Sequence, residues 1–142
     1  MHRVLAVVVL LTVGCGSAHR ADNKWFRISG EAGIGPTLTA EDVAPRTAKA
    51  GSDPVTGEPL VYFGLTQEGV RKFDQLTRRL AHRGARAGRP FHFLVTVDGR
   101  LTARPYIDYR TNPDGIPGDN GLQLSLRNRS EAEKLARRLR GG

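Results

Sequence analysis

The chain has 142 residues, enough for one domain of ordinary size and too few for two. Hydrophobic residues make up 39% and charged residues 25%, a balance that is typical of globular proteins and excludes a largely disordered chain. The single cysteine excludes a disulfide framework and a Cys-rich zinc site. A net charge of +8 favours anionic partners without choosing among lipid, nucleic acid and acidic glycan.

The N-terminus resembles a secretory address. Val4 to Val13 is an almost unbroken apolar run, which as a helix would cross only about half of the ~30 Å hydrocarbon core. A run of this length is typical of a signal peptide. Gly14 followed by Cys15 resembles the bacterial lipobox, although Thr12 stands where leucine is usual. We predict a signal peptide over 1–14, lipidation of Cys15 and a polar tether over 15–24, with a non-lipidated signal peptide as the alternative.

Residues 25–142 are predicted to form one domain that begins with strands and a short helical turn. A first strand starts at Trp25-Phe26-Arg27-Ile28, and a glycine-rich loop follows. Thr39, with Asp42 three residues later, indicates the start of a short turn that Pro45 limits. Residues 46–59 are predicted to be an exposed connection, and residues 60–65 a second strand.

A helix of about 17 residues is predicted after Thr66, its N-terminal cap. Its apolar stripe recurs at helical spacing, and Gly84, Gly88 and Pro90 end it. The stripe consists of Val70, Phe73, Leu76, Leu80 and Ala81.

A hairpin and a last helix complete the domain. Residues 91–97 and 100–107 read as strands joined by the tight turn Asp98-Gly99, and Pro105 places part of the return strand at an edge or a bulge. Residues 122–126 read as a half-buried strand, and Ser130 with Glu133 predicts a capping box for the last helix. The core face of that helix is Ala132, Leu135, Ala136 and Leu139. The prediction is an α+β fold, with an antiparallel sheet of about five strands and two main helices packed on one face.

No pattern of catalytic residues is present. The sequence has no GxSxG, HExxH, phosphate-binding loop or GxGxxG segment. His82 falls off the apolar stripe and His92 alternates with phenylalanines, so both are interpreted as surface residues. Acidic residues in the 108–121 loop suit turn formation better than a calcium site. We therefore predict a protein that is not an enzyme and holds no metal or cofactor.

Arginines crowd the predicted central helix and the C-terminal segment. Arg78, Arg79, Arg83 and Arg86 are candidate contacts for an anionic ligand, and a solvated polar helix face is the plainer interpretation. Nucleic acid is disfavoured because the chain is predicted to be exported and no aromatic residues interleave the arginines. Attraction to anionic lipid remains open.

Several motifs in order resemble SecD, the membrane protein that assists the Sec translocase from outside. The motifs are LTAEDV at 38–43, PVTGEPLVYF at 54–63, TQEGVRKF at 66–73, VTVDGRLTARPYI at 95–107 and EAEKLARRL at 131–139, with NPDGI at 112–116 resembling a longer loop of some members. The resemblance lies in the head subdomain of the first large extracytoplasmic domain of SecD. It implies a structural role for most of the motif residues, including Gly69, Phe73, Asp98, Gly99 and Pro105.

The resemblance also implies a function. We find no counterpart of the SecD base subdomain or transmembrane bundle, so we expect no proton-driven work. The expected function is a lipid-anchored module on the extracytoplasmic face of the membrane, which contacts unfolded exported polypeptide or Sec translocase components. The alternative is an envelope lipoprotein that binds an anionic lipid or wall polymer through its arginines. The oligomeric state is left open.

Overall fold

The computed structural model describes residues 22–141, which form eight strands, two α-helices and three short 3-10 turns. The strands are β1 (Phe26–Gly30), β2 (Leu38–Thr39), β3 (Lys49–Ser52), β4 (Pro59–Phe63), β5 (Phe91–Val97), β6 (Arg100–Ala103), β7 (Tyr106–Ile107) and β8 (Leu122–Ser125). The helices are α1 (Gln67–Ala87) and α2 (Arg129–Leu139), with short 3-10 turns at Asp22–Trp25, Glu31–Gly33 and Ala40–Asp42. The predicted signal peptide and Cys15 lie outside the described residues.

The strands form two antiparallel sheets. The first has five strands in the order β2-β1-β5-β6, and β7 pairs with β5 beyond β6. The second has three strands in the order β3-β4-β8. Helix α1 packs on the first sheet through β5, β7, β1 and β2, while α2 packs on β4 and β3 of the second. The predicted α+β class, with a five-stranded antiparallel sheet and two helices, is confirmed. Only α1 packs on that sheet, however, and α2 packs on a second sheet that the sequence does not predict.

Aromatic residues join the two sheets and α1 into one core. The rings of Phe26 on β1 and Phe63 on β4 meet edge to face with centroids 5.7 Å apart. Phe73 of α1 meets Phe93 of β5 in the same way at 5.6 Å. Phe26, Phe63 and Phe73 are almost wholly buried, and each buried phenylalanine contributes about 1.5–3 kcal/mol relative to an exposed one. These contacts make the two sheets one hydrophobic unit.

Helix α1 begins where the sequence predicts and is longer than expected. It spans 21 residues, and the Thr66 side chain accepts a hydrogen bond from the Gly69 N–H, as a helix cap does. It ends at Gly88, whose left-handed backbone suits glycine. A Cβ added at Gly69 would lie 2.3 Å from the main-chain oxygen of Asp42. Glycine therefore lets the helix start approach the Ala40–Asp42 turn.

One detail agrees with the sequence prediction and two differ from it. The return strand of the hairpin is broken around Pro105 into β6 and β7, in keeping with the expectation of an edge or bulge there. The connection over 46–59 contains strand β3, which the pattern did not predict because its residues are mostly exposed. Helix α2 is capped by Asn128 rather than Ser130, since the Asn128 side chain accepts from the Glu131 N–H at 2.8 Å. The capping box predicted at Ser130 is wrong.

The 108–121 loop is fastened to the side of α1. The Thr77 hydroxyl donates to the Ile116 carbonyl and accepts from the Ile116 N–H, both at 3.0 Å. Asp74 accepts from the Gly118 N–H at 2.8 Å. Asp108 bonds to the main-chain N–H of Arg110 at 3.0 Å, which is the local turn chemistry expected of an aspartate in a loop.

Candidate functional site

Most of the motif residues build the core. Phe73 and the apolar residues of α2 are buried, and they cover the inner faces of the two sheets. The buried residues of α2 are Ala132, Leu135, Ala136 and Leu139. Their placement agrees with a structural role, and Leu135 is the one that also lines the groove described below.

Asp98 and Gly99 form the two-residue turn between β5 and β6. Both have positive φ, 52° and 77°, which is the geometry of the tight hairpin turn that the sequence predicts. Asp98 has a second role that the sequence did not indicate. Its carboxylate accepts two hydrogen bonds from the Arg138 guanidinium, at 2.6 and 3.0 Å. These bonds lower the pKa of Asp98 below its ordinary value, and they tie the hairpin to α2.

Arg138 also lies against the single tryptophan of the chain. Its guanidinium carbon is 3.9 Å from the centroid of the Trp25 ring, a cation–π arrangement. The Asp98 N–H donates to the Trp25 carbonyl at 2.7 Å. The Arg138 guanidinium of α2 therefore contacts both the β5–β6 hairpin and the residue that precedes β1.

A groove of about 710 Å³ lies between β6 and α2. We call it the β6 groove. It is lined by residues of the β5–β6 hairpin, the segment after β8 and one face of α2. These residues are Val97, Asp98, Arg100, Leu101, Thr102, Leu126, Arg127, Glu131, Lys134, Leu135 and Arg138.

Strand β6 forms one wall of the groove. Arg100, Leu101 and Thr102 are consecutive, and side chains alternate between the two faces of a strand. The register against β5 shifts at Thr102, between the pairs Leu101–Thr96 and Ala103–Val95, and an irregularity of this kind lets consecutive residues reach one groove. Strand β6 pairs with β5 on one side, and no other strand within residues 22–141 pairs with it. Such an edge can accept an added strand.

The groove combines apolar surface with net positive charge. Leu101 is 57% exposed, and it lines the groove together with the partly buried Leu126. Four cationic side chains and two carboxylates line the groove, so its formal charge is 4 − 2, or +2. The cations are Arg100, Arg127, Lys134 and Arg138, and the carboxylates are Asp98 and Glu131. This surface can hold an extended apolar segment and attract acidic groups near it.

The four predicted ligand-binding arginines lie elsewhere, on the exposed side of α1. Arg79, Arg83 and Arg86 follow one another at helical spacing and share one side of the helix. Arg78 lies about 100° around the axis from Arg79. Within residues 22–141 none of the four side chains has an ion-pair or hydrogen-bond partner. They form an open cationic row, and they do not line the β6 groove.

Glu31, directly after β1, is a mostly buried carboxylate for which the sequence gives no signal. It accepts two hydrogen bonds of 3.2 Å from Arg89 and one of 2.8 Å from the His92 main-chain N–H. The Arg89 bonds are the largest cause that lowers the pKa of Glu31 from 4.5 to about 2. The residues belong to three different segments, so spacing along the chain gives no sign of the contact. We assign the cluster a stabilising role.

In the part of the chain from residue 22 to 141, no group of three or more His, Cys, Asp or Glu side chains is placed to hold a metal ion. His82 lies 3.9 Å from Asp114 at the exposed surface, and His92 packs edge to face on Tyr106. The same residues contain no helix of the length and hydropathy needed to cross a membrane.

Two solved SecDF structures resemble this fold. The crystal structure of SecDF in its super-membrane-facing form matches 74% of this chain at 29% identity, with a TM-score of 0.57. The chain spans 12% of the length of that protein. A structure of SecDF described as a membrane component that enhances protein export matches 92% of this chain and 71% of its own, at 21% identity and a TM-score of 0.59.

The chain has a SecDF head-like fold. The structural matches confirm the resemblance that the ordered motifs indicated. No protein-family model matches the sequence, and no curated protein does.

Proposed function

We propose that this protein is a non-enzymatic module of protein export, which holds extended segments of exported polypeptide in the β6 groove. The observation that carries the proposal is an edge strand with the exposed Leu101 lining a groove, on a SecDF head-like fold. Backbone pairing with β6 would bind any extended chain, and Leu101 and Leu126 would favour apolar side chains. Affinity that rests mainly on backbone hydrogen bonds suits a partner of varied sequence.

The proposal includes an anchor at Cys15 and a place on the extracytoplasmic face of the membrane. It is supported by the apolar run before Gly14-Cys15 in the sequence and by the description of SecDF as a membrane component that enhances export. Mass spectrometry of the mature N-terminus tests the anchor directly. A Cys15→Ser variant should leave the membrane fraction, and a variant that stays there without lipid would contradict the anchor.

In-cell photo-crosslinking tests the contact with polypeptide. A photoreactive residue at Leu101 should form adducts with many unrelated exported proteins or with translocase subunits. The control position is Val55, which is 90% exposed in a loop outside the groove. Equal adducts at the two positions, or none at Leu101, would refute the groove as the contact site.

The cationic row on α1 supports a second candidate function, the binding of an anionic lipid or wall polymer. Its specific support is the absence of ion-pair partners for Arg79, Arg83 and Arg86 among the residues that the structure describes. Binding of this kind should weaken steeply as salt rises, whereas capture of an apolar segment should not. Changing the three arginines to glutamine should remove polyanion binding and leave the Leu101 adducts unchanged.

A further inference from the structure

We propose that the β6 groove selects extended segments in which an acidic residue stands directly next to an apolar one. This inference rests on the proposed function and specifies the class of polypeptide segment that the groove takes. It follows from which groove cations are already neutralised and from how the side chains of β6 alternate.

The groove cations are not equivalent. Arg138 is neutralised by Asp98 through two hydrogen bonds. The side chains of Arg100, Arg127 and Lys134 make no ion pair or hydrogen bond within residues 22–141. Arg100 and Lys134 lie close enough to Asp98 to help lower its pKa, but they are not bonded to it. Elsewhere on α2, Arg129 is paired with Glu133. Three cations without a bonded partner therefore line the groove. Of its two carboxylates, Asp98 is paired with Arg138, and Glu131 has no ion pair within residues 22–141.

The strand geometry sets where the acidic residue must stand. Arg100 lies opposite Val97 and Leu101 lies opposite Thr96, so the two side chains point to opposite faces of the first sheet. A segment that adds to the edge of β6 places one residue beside Leu101 and its immediate neighbour beside Arg100. An apolar residue suits the first position and a carboxylate the second. A basic residue at the second position would meet like charge from Arg100.

Charge also explains why the preference should be local rather than a property of the whole protein. The chain carries a net charge of +8, so any acidic peptide is attracted weakly from a distance. Contact pairing in the groove adds to this attraction only for peptides whose acidic residue reaches Arg100, Arg127 or Lys134. Two ion pairs between acidic peptide residues and these groove cations would together raise the affinity about fivefold to tenfold.

The test measures binding of three labelled unstructured peptides to the full chain in zwitterionic nanodiscs by fluorescence anisotropy. The peptides share one apolar pattern, and the residues next to the apolar ones are aspartate, asparagine or lysine. We expect the aspartate peptide to bind about fivefold to tenfold more tightly than the asparagine peptide, and the lysine peptide more weakly than both. The preference should shrink between about 0.1 M and about 1 M salt, where the Debye length falls from about 10 to about 3 Å.

Matched charge variants locate the preference. Arg100→Gln, Arg127→Gln and Lys134→Gln together remove three groove cations, and Arg79→Gln, Arg83→Gln and Arg86→Gln together remove three cations from α1. The groove variant should lose the preference and the α1 variant should keep it. Equal loss in both variants would mean that overall charge causes the preference, and the inference would be overturned.

The remaining outcomes separate the inference from the proposed function. If the three peptides bind equally and Leu101→Ser weakens all of them, the groove binds polypeptide and the selectivity for acidic neighbours is wrong. If no peptide binds to a chain with native circular dichroism, the proposed function itself fails. Trp25 gives an independent readout, because it lies against the groove residue Arg138 and its fluorescence should change when the groove is filled.

Discussion

Replacing Gly69 with alanine tests whether this motif glycine is needed for close packing. In an open helix the change would stabilise the protein by about 0.8–1.0 kcal/mol, because alanine is the better helix former. Here the new Cβ would lie 2.3 Å from the Asp42 main-chain oxygen. Side-chain carbons do not approach an oxygen so closely, and the helix start or the turn would have to move by about 1 Å.

The Ala40–Asp42 turn is poorly able to move. The Asp42 oxygen accepts from the Thr66 N–H at 2.9 Å, and the Asp42 carboxylate holds both the Thr39 N–H and Lys72. We therefore expect strain at the upper end of the usual overpacking range, about 3 kcal/mol. After the gain in helix propensity, the free energy of unfolding should fall by about 2 kcal/mol.

Urea unfolding of the full chain, followed by far-ultraviolet circular dichroism, measures this change. The matched control is Gln75→Ala, an exposed position on the same helix, which should change the free energy of unfolding by less than about 0.5 kcal/mol. An unchanged or higher stability of Gly69→Ala would refute the argument, because helix propensity would then outweigh the contact.

Three further predictions concern polar contacts. Thr77→Val keeps the side-chain volume but leaves the Ile116 N–H and carbonyl unpaired, so stability should fall by about 1–3 kcal/mol and hydrogen exchange at Ile116 should accelerate; unchanged exchange would contradict the fastening of the loop. The pKa of Glu31 is lower in the folded protein than its ordinary value of 4.5, so its contribution is present above about pH 4.5 and is lost as the pH falls towards 2. Glu31→Gln should accordingly lower stability at pH 7 by about 1–2 kcal/mol and by much less at pH 2, and parallel pH profiles would disprove it. Asp98→Asn keeps a residue that tolerates the turn but weakens the pair with Arg138, so stability should fall by under about 1 kcal/mol while tryptophan fluorescence shifts; an unshifted spectrum would count against the contact.

Local chemistry made several elements predictable. Asp98-Gly99 specifies a tight turn because both positions need positive φ, and the threonine at 66 specifies a helix start because its oxygen can accept a free N–H. The periodic burial of α1 and the alternation of β5 follow from the same short-range rules. The N-terminal cap of α2 is Asn128, two residues before the predicted Ser130. Asparagine and serine are both good caps, so the sequence alone does not rank the two positions.

Sequence patterns are sufficient to predict the class of fold, most of its elements in chain order and the motifs that resemble SecD. Tertiary structure decided how the strands divide into two sheets, because pairing of exposed, small residues in Lys49–Ser52 leaves no periodic signal. Tertiary contacts also determine the position and the lining of the β6 groove. The β6 groove joins residues of a hairpin, a loop and α2, and the Asp98–Arg138 pair joins positions 40 residues apart. Such contacts depend on packing of distant segments, which sequence periodicity does not encode.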